Sequence, residues 1–327
     1  MSTVTTPPDV PRQVDSRLFV IQLGVTIAVV GVAVLLSGRY FEASLDARRL
    51  ERAAVRANEA AERGAMFVPW TGEDLPVMDP SSDLWAQAPA TELPLQAQRV
   101  TMPMLDDVTV ESVTLQALTD GEAIAWRVSW ADPSRDMNVD AGRFCDSVAL
   151  QFPMDWQAHF TMGKEGEQVH ILHWKGLWQK DVDEHFQDVQ DLHPNYWTDL
   201  YWFAEGPAPF RVPEAFSDPR SHAWFAAYAA GNPLADFERT VPVEELSAEG
   251  FGTLTSQPHA VTIGRGQWED GRWSVVFARP FRTNDPNDAR IWRGGRGHVA
   301  VAVWDGSAGN VGGRKHWTNW LEFEVSP

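Results

Sequence analysis

The chain has 327 residues, a formal net charge of −18 and a single cysteine, Cys145. So acidic a chain excludes nucleic acid as a partner and argues against a generally basic membrane-binding face. One cysteine excludes an intramolecular disulfide, a cysteine-ligated cluster and a cysteine-rich zinc site. Hydrophobic residues make up 44% of the chain, enough for a packed core, and sixteen Trp stand against four Tyr. Indoles in such number fill a wide core or line a ligand slot.

Residues 1–17 are polar, contain three prolines and are expected to be disordered. Residues 18–38, LFVIQLGVTIAVVGVAVLLSG, carry no charge. As a helix they span roughly 30 Å, the thickness of a bilayer core. No small-residue cleavage site follows, so the run reads as an uncleaved transmembrane anchor. Arg12 and Arg17 precede it; Arg39, Arg48, Arg49 and Arg52 follow it. By that count the C-terminal part lies inside the cell. Residues 39–65 read as a helical stalk, rich in Ala, Glu and Arg with opposite charges three and four apart. Residues 66–79 read as a proline-rich linker.

From residue 80 to 327 the pattern is β. VTLQALTDGEAIAWRVSW holds two alternating runs joined through Asp120–Gly121, a hairpin signal. DSVALQFP, EQVHILHW, GRWSVVFARPF, GHVAVAVWDG and NWLEFEV are further strands, and Asp270–Gly271 supplies another turn. Residues 180–246 are irregular, with one short helix ending at Gly231. The expected fold is mainly β: an antiparallel β-sandwich with a long irregular insert.

The stretch AHFTMGKEGEQVHILHWKGLW, residues 158–178, gathers a methionine, two lysines, three histidines and two tryptophans. Strand alternation sends His170 and His173 to opposite faces, which disfavours a shared metal. GRGQW and GGRGH do not lie between a strand and a helix, so they are turns and not phosphate loops. The chain has no HExxH, GxSxG, P-loop or C-x-x-C-H, and nothing singles out a catalytic carboxylate pair.

Several stretches in order resemble a known family: DSVALQFP, FTMG, HILHWKGLW, AAGNPL, EGFGTLT, DGRWSVVFARPF and VAVWDGSAGNVGGRKHWTNW. Together they are similar to the haem b (gamma) subunits of type II dimethyl sulfoxide reductase family enzymes. These include the gamma subunits of ethylbenzene dehydrogenase, dimethylsulfide dehydrogenase, selenate reductase and chlorate reductase. A membrane anchor departs from the familiar soluble members and suits a nitrite oxidoreductase type assembly. The resemblance implies a noncovalent haem b in a slot between two sheets, with Met162 as one axial ligand. It places Lys315 first for the other ligand and Lys175 as the fallback. It implies that Arg279 or Arg282 pairs with propionates or a partner, and that Trp174, Trp178, Trp268, Trp273 and Trp304 wall the haem. It further implies an iron–sulfur beta subunit and a molybdenum catalytic alpha subunit as partners, a soluble cytochrome or quinone-linked carrier, and a periplasmic or extracytoplasmic domain, against the arginine count.

A haem with both axial positions filled moves electrons and offers no iron position to a substrate. Each residue also has a plainer reading: Met162 a core gap-filler, Lys315 and Lys175 solvated charges, Arg279 a surface arginine. The chemical rival is a bis-histidine haem pairing His170 or His173 with His159 or His316. The rival of another class is a membrane-anchored carbohydrate-binding module, its indoles stacking on sugars.

Overall fold

The computed structural model describes residues 16–327 other than 157, 197–203, 209, 212–215 and 217; in the first helix the side chains of 16–31, 33, 41–44, 46 and 49 are also outside the description. The chain divides into two units, Met1–Val55 and Arg56–Pro327.

Helix α1 (Ser16–Glu62) carries the apolar run and the stalk. Residues 1–15 and most side chains of 18–38 lie outside the description. Among the described residues no helix is long and apolar enough to cross a membrane. Gly64, at φ +73°, ends the helical segment with the left-handed turn that glycine adopts without strain.

Fourteen strands follow: β1 (Ala65–Val68), β2 (Thr91–Pro94), β3 (Gln96–Ala97), β4 (Ser112–Thr119), β5 (Ala123–Ala131), β6 (Ser147–Pro153), β7 (Val169–Lys175), β8 (Val243–Ala248), β9 (Thr255–Ser256), β10 (Ile263–Glu269), β11 (Arg272–Pro280), β12 (Arg296–Trp304), β13 (His316–Trp317) and β14 (Leu321–Val325). Helix α2 (Gly176–Asp183) follows β7 directly; α3 (Val189–Leu192) and α4 (Ala226–Ala229) lie in the irregular insert.

The expected linker is not one at its start. All four residues of β1 are buried, and β1 pairs parallel with β14, Met66 opposite Phe323. Four consecutive apolar residues, AMFV, suit a strand covered on both faces. The compact unit therefore begins before residue 80, at Arg56.

Two sheets face each other. The nine-stranded one runs β1-β14-β12-β6-β7-β8-β9, with β13 beside β12 and β3 beside β13; the five-stranded one runs β10-β11-β5-β4-β2. Among the described strands all pairings but β1 with β14 are antiparallel. The expected hairpins stand: β4 and β5 turn at Asp120–Gly121, β10 and β11 at Asp270–Gly271.

Alternation decides what lies between the sheets. On β6 the inward positions are Val148, Leu150 and Phe152, and on β12 they are Val299, Val301 and Val303. They meet Trp126, Trp130, Trp273 and Phe277 of the facing sheet. Trp126 packs on Phe152 at 5.6 Å and edge-on to Phe323 at 5.0 Å; Trp174 meets Trp273 at 4.9 Å. The intersheet space is filled by rings, so the expected slot between the sheets is not there. Trp174 and Trp273 are core residues, and Trp268 is partly buried against the same core.

Packing is tight where Trp174 crosses to β10. A Cβ on Gly266 would stand 2.2 Å from the Trp174 ring. Overpacking of this kind costs about 1–3 kcal/mol, so Gly266→Ala is expected to lower the thermal unfolding midpoint by several degrees, as circular dichroism would record.

Candidate functional site

The open space lies on the other face of the nine-stranded sheet. Outward positions on its central strands are small or polar: Ser147, Ala149 and Gln151 on β6, Ala300 and Ala302 on β12. The register sets them in rows. Trp317, Ala302, Ala149 and His173 lie side by side across β13, β12, β6 and β7. Alanines at the middle of such a row leave a floor with room above it. The cavity measures about 510 Å³, inside the roughly 300–1,000 Å³ of cofactor sites. Its walls are largely apolar, with Phe160, Leu177, Trp178, Phe251 and Trp304 among them.

Two loops close over this floor. The first, residues 155–164, carries Met162. Gln151 Nε2 donates to the Phe160 carbonyl at 2.8 Å, and Trp320 Nε1 to that of Ala158 at 2.9 Å. Met162 sits at φ +70°, a left-handed conformation rare for a side chain of its size. The Gly250 N–H donates to its carbonyl at 2.8 Å and Gly163 N–H to His159 at 2.8 Å, bonds that hold the turn. Strain of this sort, roughly 1–3 kcal/mol, persists where surrounding structure over-determines the backbone.

The second loop, residues 305–315, ends in Lys315. Trp304 Nε1 donates to the Gly312 carbonyl at 3.0 Å. Gln98 Nε2 donates to the carbonyls of Thr101, Pro103 and Gly313 at once, and Gln98 N–H donates to that of Lys315 at 2.9 Å.

The loops bring two predicted residues together. Lys315 Nζ lies 3.4 Å from Met162 Sδ. Lys315 is 9% exposed, and its ammonium stands 5.3 Å from the Trp304 ring centre. Among the described residues no carboxylate pairs with it. Burial alone pushes its pKa down to about 8. A lysine so placed gives up its proton readily, which ligation of a metal requires.

The fallback, Lys175, also lines the cavity but is committed elsewhere. It pairs with Glu244, with its Nζ 3.7 Å from the Trp178 ring centre. It is not the solvated charge of the plainer reading.

Arg279 is neither at the cavity nor at the surface. It lies 2% exposed between the sheets, where Nη1 reaches His170 Nδ1 at 3.0 Å and Nη2 stands 3.6 Å from Asp288. It cannot meet a cavity ligand, because β11 turns that position into the core. Arg282 is exposed. Trp178 and Trp304 are the two expected indoles that do line the cavity; Trp174, Trp268 and Trp273 face the core.

The bis-histidine pairing finds no partner. Among the described lining residues only His173 is a histidine. Its Nε2 is buried without a hydrogen-bond partner, and its ring stacks on Trp304 at 4.8 Å. Burial and the two cavity lysines hold its pKa well below the usual value. His170 faces the core. His316 accepts at Nε2 from the Thr109 N–H, 2.9 Å, and reaches the Val303 carbonyl with Nδ1, 3.3 Å. His159 is exposed. The largest fully buried side chains include Trp85, Trp126, Trp130, Trp174 and Trp273, so these indoles serve the core and not a sugar face.

Gln98, Gln151 and Trp320 carry no sequence signal of their own, since each acts through one carbonyl or loop far away in the chain. A second cluster, Asp132, Asp146 and Asp305, was equally hidden, its members drawn from three separate loops.

Residues 82–316 match the protein family described as ethylbenzene dehydrogenase. Over 258 residues, 78% of this chain and 70% of the relative, the sequence is 25% identical to a putative respiratory nitrate reductase heme subunit of Haloferax mediterranei. Over 262 residues, 76% of each, it is 21% identical to the dimethylsulfide dehydrogenase subunit gamma of Rhodovulum sulfidophilum. Among solved structures, a family 9 carbohydrate-binding module of Caldicellulosiruptor kristjanssonii in complex with glucose aligns at a TM-score of 0.35 and 8% identity, covering 80% of this chain and 95% of that one.

The buried amine carries a stability signature. Its folded pKa of about 8 is below the ordinary 10.5, so the unfolded chain binds the extra proton between those values. Stability of the ligand-free protein is therefore expected to rise as pH climbs from about 8 to about 10.5. Lys315→Met removes the unpaired charge and is expected to stabilise the ligand-free protein at pH 7 by about 1–3 kcal/mol, measured by chemical denaturation, and to abolish the pH rise.

Proposed function

We propose that this chain, which belongs to the ethylbenzene dehydrogenase family, holds one noncovalent haem b with Met162 and Lys315 as axial ligands and serves as an electron-transfer subunit of a molybdenum oxidoreductase. The observation that carries this reading is the meeting of Met162 Sδ and Lys315 Nζ. Separated by 153 residues in sequence, they come within 3.4 Å inside an apolar cavity, the lysine having no carboxylate partner among the described residues.

The donor set fits the group. A half-buried thioether and an amine of lowered pKa are an uncharged ligand pair once the amine loses its proton. Bound there, haem b supplies a one-electron couple whose filled axial positions leave no site for substrate chemistry. Met162, a soft ligand, favours the reduced iron and raises the potential. Trp304 holds the lysine side with its ring and the loop with its N–H. The alanine floor leaves room for a flat ligand between largely apolar walls.

The relatives' names support a place in a complex: one is a heme subunit of a nitrate reductase, the other the gamma subunit of a dehydrogenase. The partners of this chain are then an iron–sulfur subunit and a molybdenum catalytic subunit, with a soluble cytochrome or quinone-linked carrier beyond. Residues 18–38 tie it to a membrane, with the domain on the extracytoplasmic side. On α1, Val34, Leu35 and Leu36 are 63, 69 and 61% exposed, an apolar surface that lipid would cover.

Purified full-length protein is expected to show a Soret band and a b-type reduced spectrum. Met162→Ala is expected to lower the midpoint potential, by on the order of 100 mV, and Lys315→Leu, which offers no ligand atom, to weaken haem retention. A colourless protein after expression with haem supplied, or an unchanged potential in Met162→Ala, would sink the reading. The full chain is further expected in the membrane fraction, a chain lacking residues 1–38 in the soluble one, with protease sensitivity in spheroplasts reporting the side.

A further inference from the structure

Asp132 follows β5, Asp146 precedes β6 and Asp305 follows β12, so the three come from strand ends of both sheets. They are 1, 0 and 7% exposed. Each offers a carboxylate oxygen within 4.8 Å of the others. None of the three takes part in an ion pair among the described residues.

Hydrogen bonds serve the cluster unevenly. Asp146 accepts from Asp136 N–H at 2.8 Å, Trp273 Nε1 at 2.9 Å and Gly306 N–H at 2.9 Å. Asp305 Oδ1 accepts from Ser307 Oγ at 2.7 Å and Ala308 N–H at 3.0 Å. Asp132 Oδ1 accepts from Ser134 N–H at 3.1 Å, yet Asp132 Oδ2, also buried, makes no hydrogen bond among the described residues, the Trp130 indole being the other donor group near this carboxylate. Such bonds orient carboxylates without cancelling their charge. Three like charges in one dry place persist only if protons or a cation neutralise them. Burial and the Asp132 carboxylate together push the Asp146 pKa up to about 7.

We propose that Asp132, Asp146 and Asp305 bind one Ca²⁺ ion, with the orphaned Asp132 Oδ2 as a ligand. The donors are all oxygen, which suits a hard cation and not zinc or copper. Their 4.8 Å limit lies within a calcium coordination sphere, roughly 4.6–5.2 Å across. Magnesium dehydrates reluctantly and demands a near-ideal octahedron at about 2.0–2.1 Å, whereas calcium accepts longer bonds and irregular carboxylate sets. The ion links the end of β5 to the start of β6 and to the loop that leads from β12 to Lys315. The site is independent of the haem reading, being built on other residues.

The test uses full-length protein stripped with EDTA and titrated with CaCl₂ alone. Calorimetry is expected to show one Ca²⁺ per chain. The unfolding midpoint is expected to rise by roughly 5–10 °C once CaCl₂ exceeds its Kd about a hundredfold. Asp132→Asn and Asp305→Asn, each of which removes a buried negative charge, are expected to fold and to lose the calcium-dependent rise. The proposal is overturned if CaCl₂ neither binds nor shifts the midpoint, or if MgCl₂ at equal concentration stabilises as much. Protons would then hold the cluster. Asp146's folded pKa of about 7 lies above its ordinary 3.8, so stability would fall as pH rises from about 4 to about 7, whether or not calcium were present.

Discussion

The rest of the structure depends on how two central strands distribute volume between their faces. On β6 and β12, large side chains point to the facing sheet and small ones away from it. Burying an indole is worth roughly 4–6 kcal/mol in apolar area alone. Prising the sheets apart to admit a flat ligand would forfeit several such contributions. On the outer face the same strands present Ser147, Ala149, Ala300 and Ala302, and a ligand there displaces no packed ring. The cavity lies where occupying it costs the core nothing.

Two lysines at one cavity show the difference between structure and function in a buried charge. Lys175 has Glu244 beside it and Trp178 beneath its ammonium, the arrangement expected when a cation is simply accommodated. Lys315 has a thioether and an indole face, neither of which is a counter-charge. A chain with 45 acidic residues does not lack carboxylates to pair with it. Leaving this amine unpaired costs stability and keeps its lone pair close to release. The strained backbone of Met162 on the opposite loop is a cost of the same kind.

Much of this was legible in the sequence, because strand period and D-G turns are local signals. The hairpins at Asp120 and Asp270 and the split of His170 from His173 follow from alternation alone. The resemblance paired Met162 with Lys315, which no local rule could do across 153 residues. What failed was the third dimension. SVALQF already alternates small with large, but nothing local says which face meets another sheet. The expected slot therefore lies between the sheets with Trp174 as a wall, whereas the open cavity lies on the other face and Trp174 is in the core. Arg279 reads like any strand-end arginine; only the fold shows His170 and Asp288 waiting for it in the core. β1 was hidden for a related reason: four apolar residues beside prolines look like a linker until β14 supplies a partner 257 residues away.

The two loops that carry Met162 and Lys315 are each held by an indole N–H: that of Trp320 to Ala158, that of Trp304 to Gly312. Bonds from rigid rings to backbone carbonyls leave a loop few alternative shapes. On the proposed reading, Met162 and Lys315 on such mounts would shift little when the charge between them changed by one unit, and a small rearrangement of that kind would let an electron cross with little driving force, in either direction. The tryptophans that first suggested a ligand surface act as struts for the two loops.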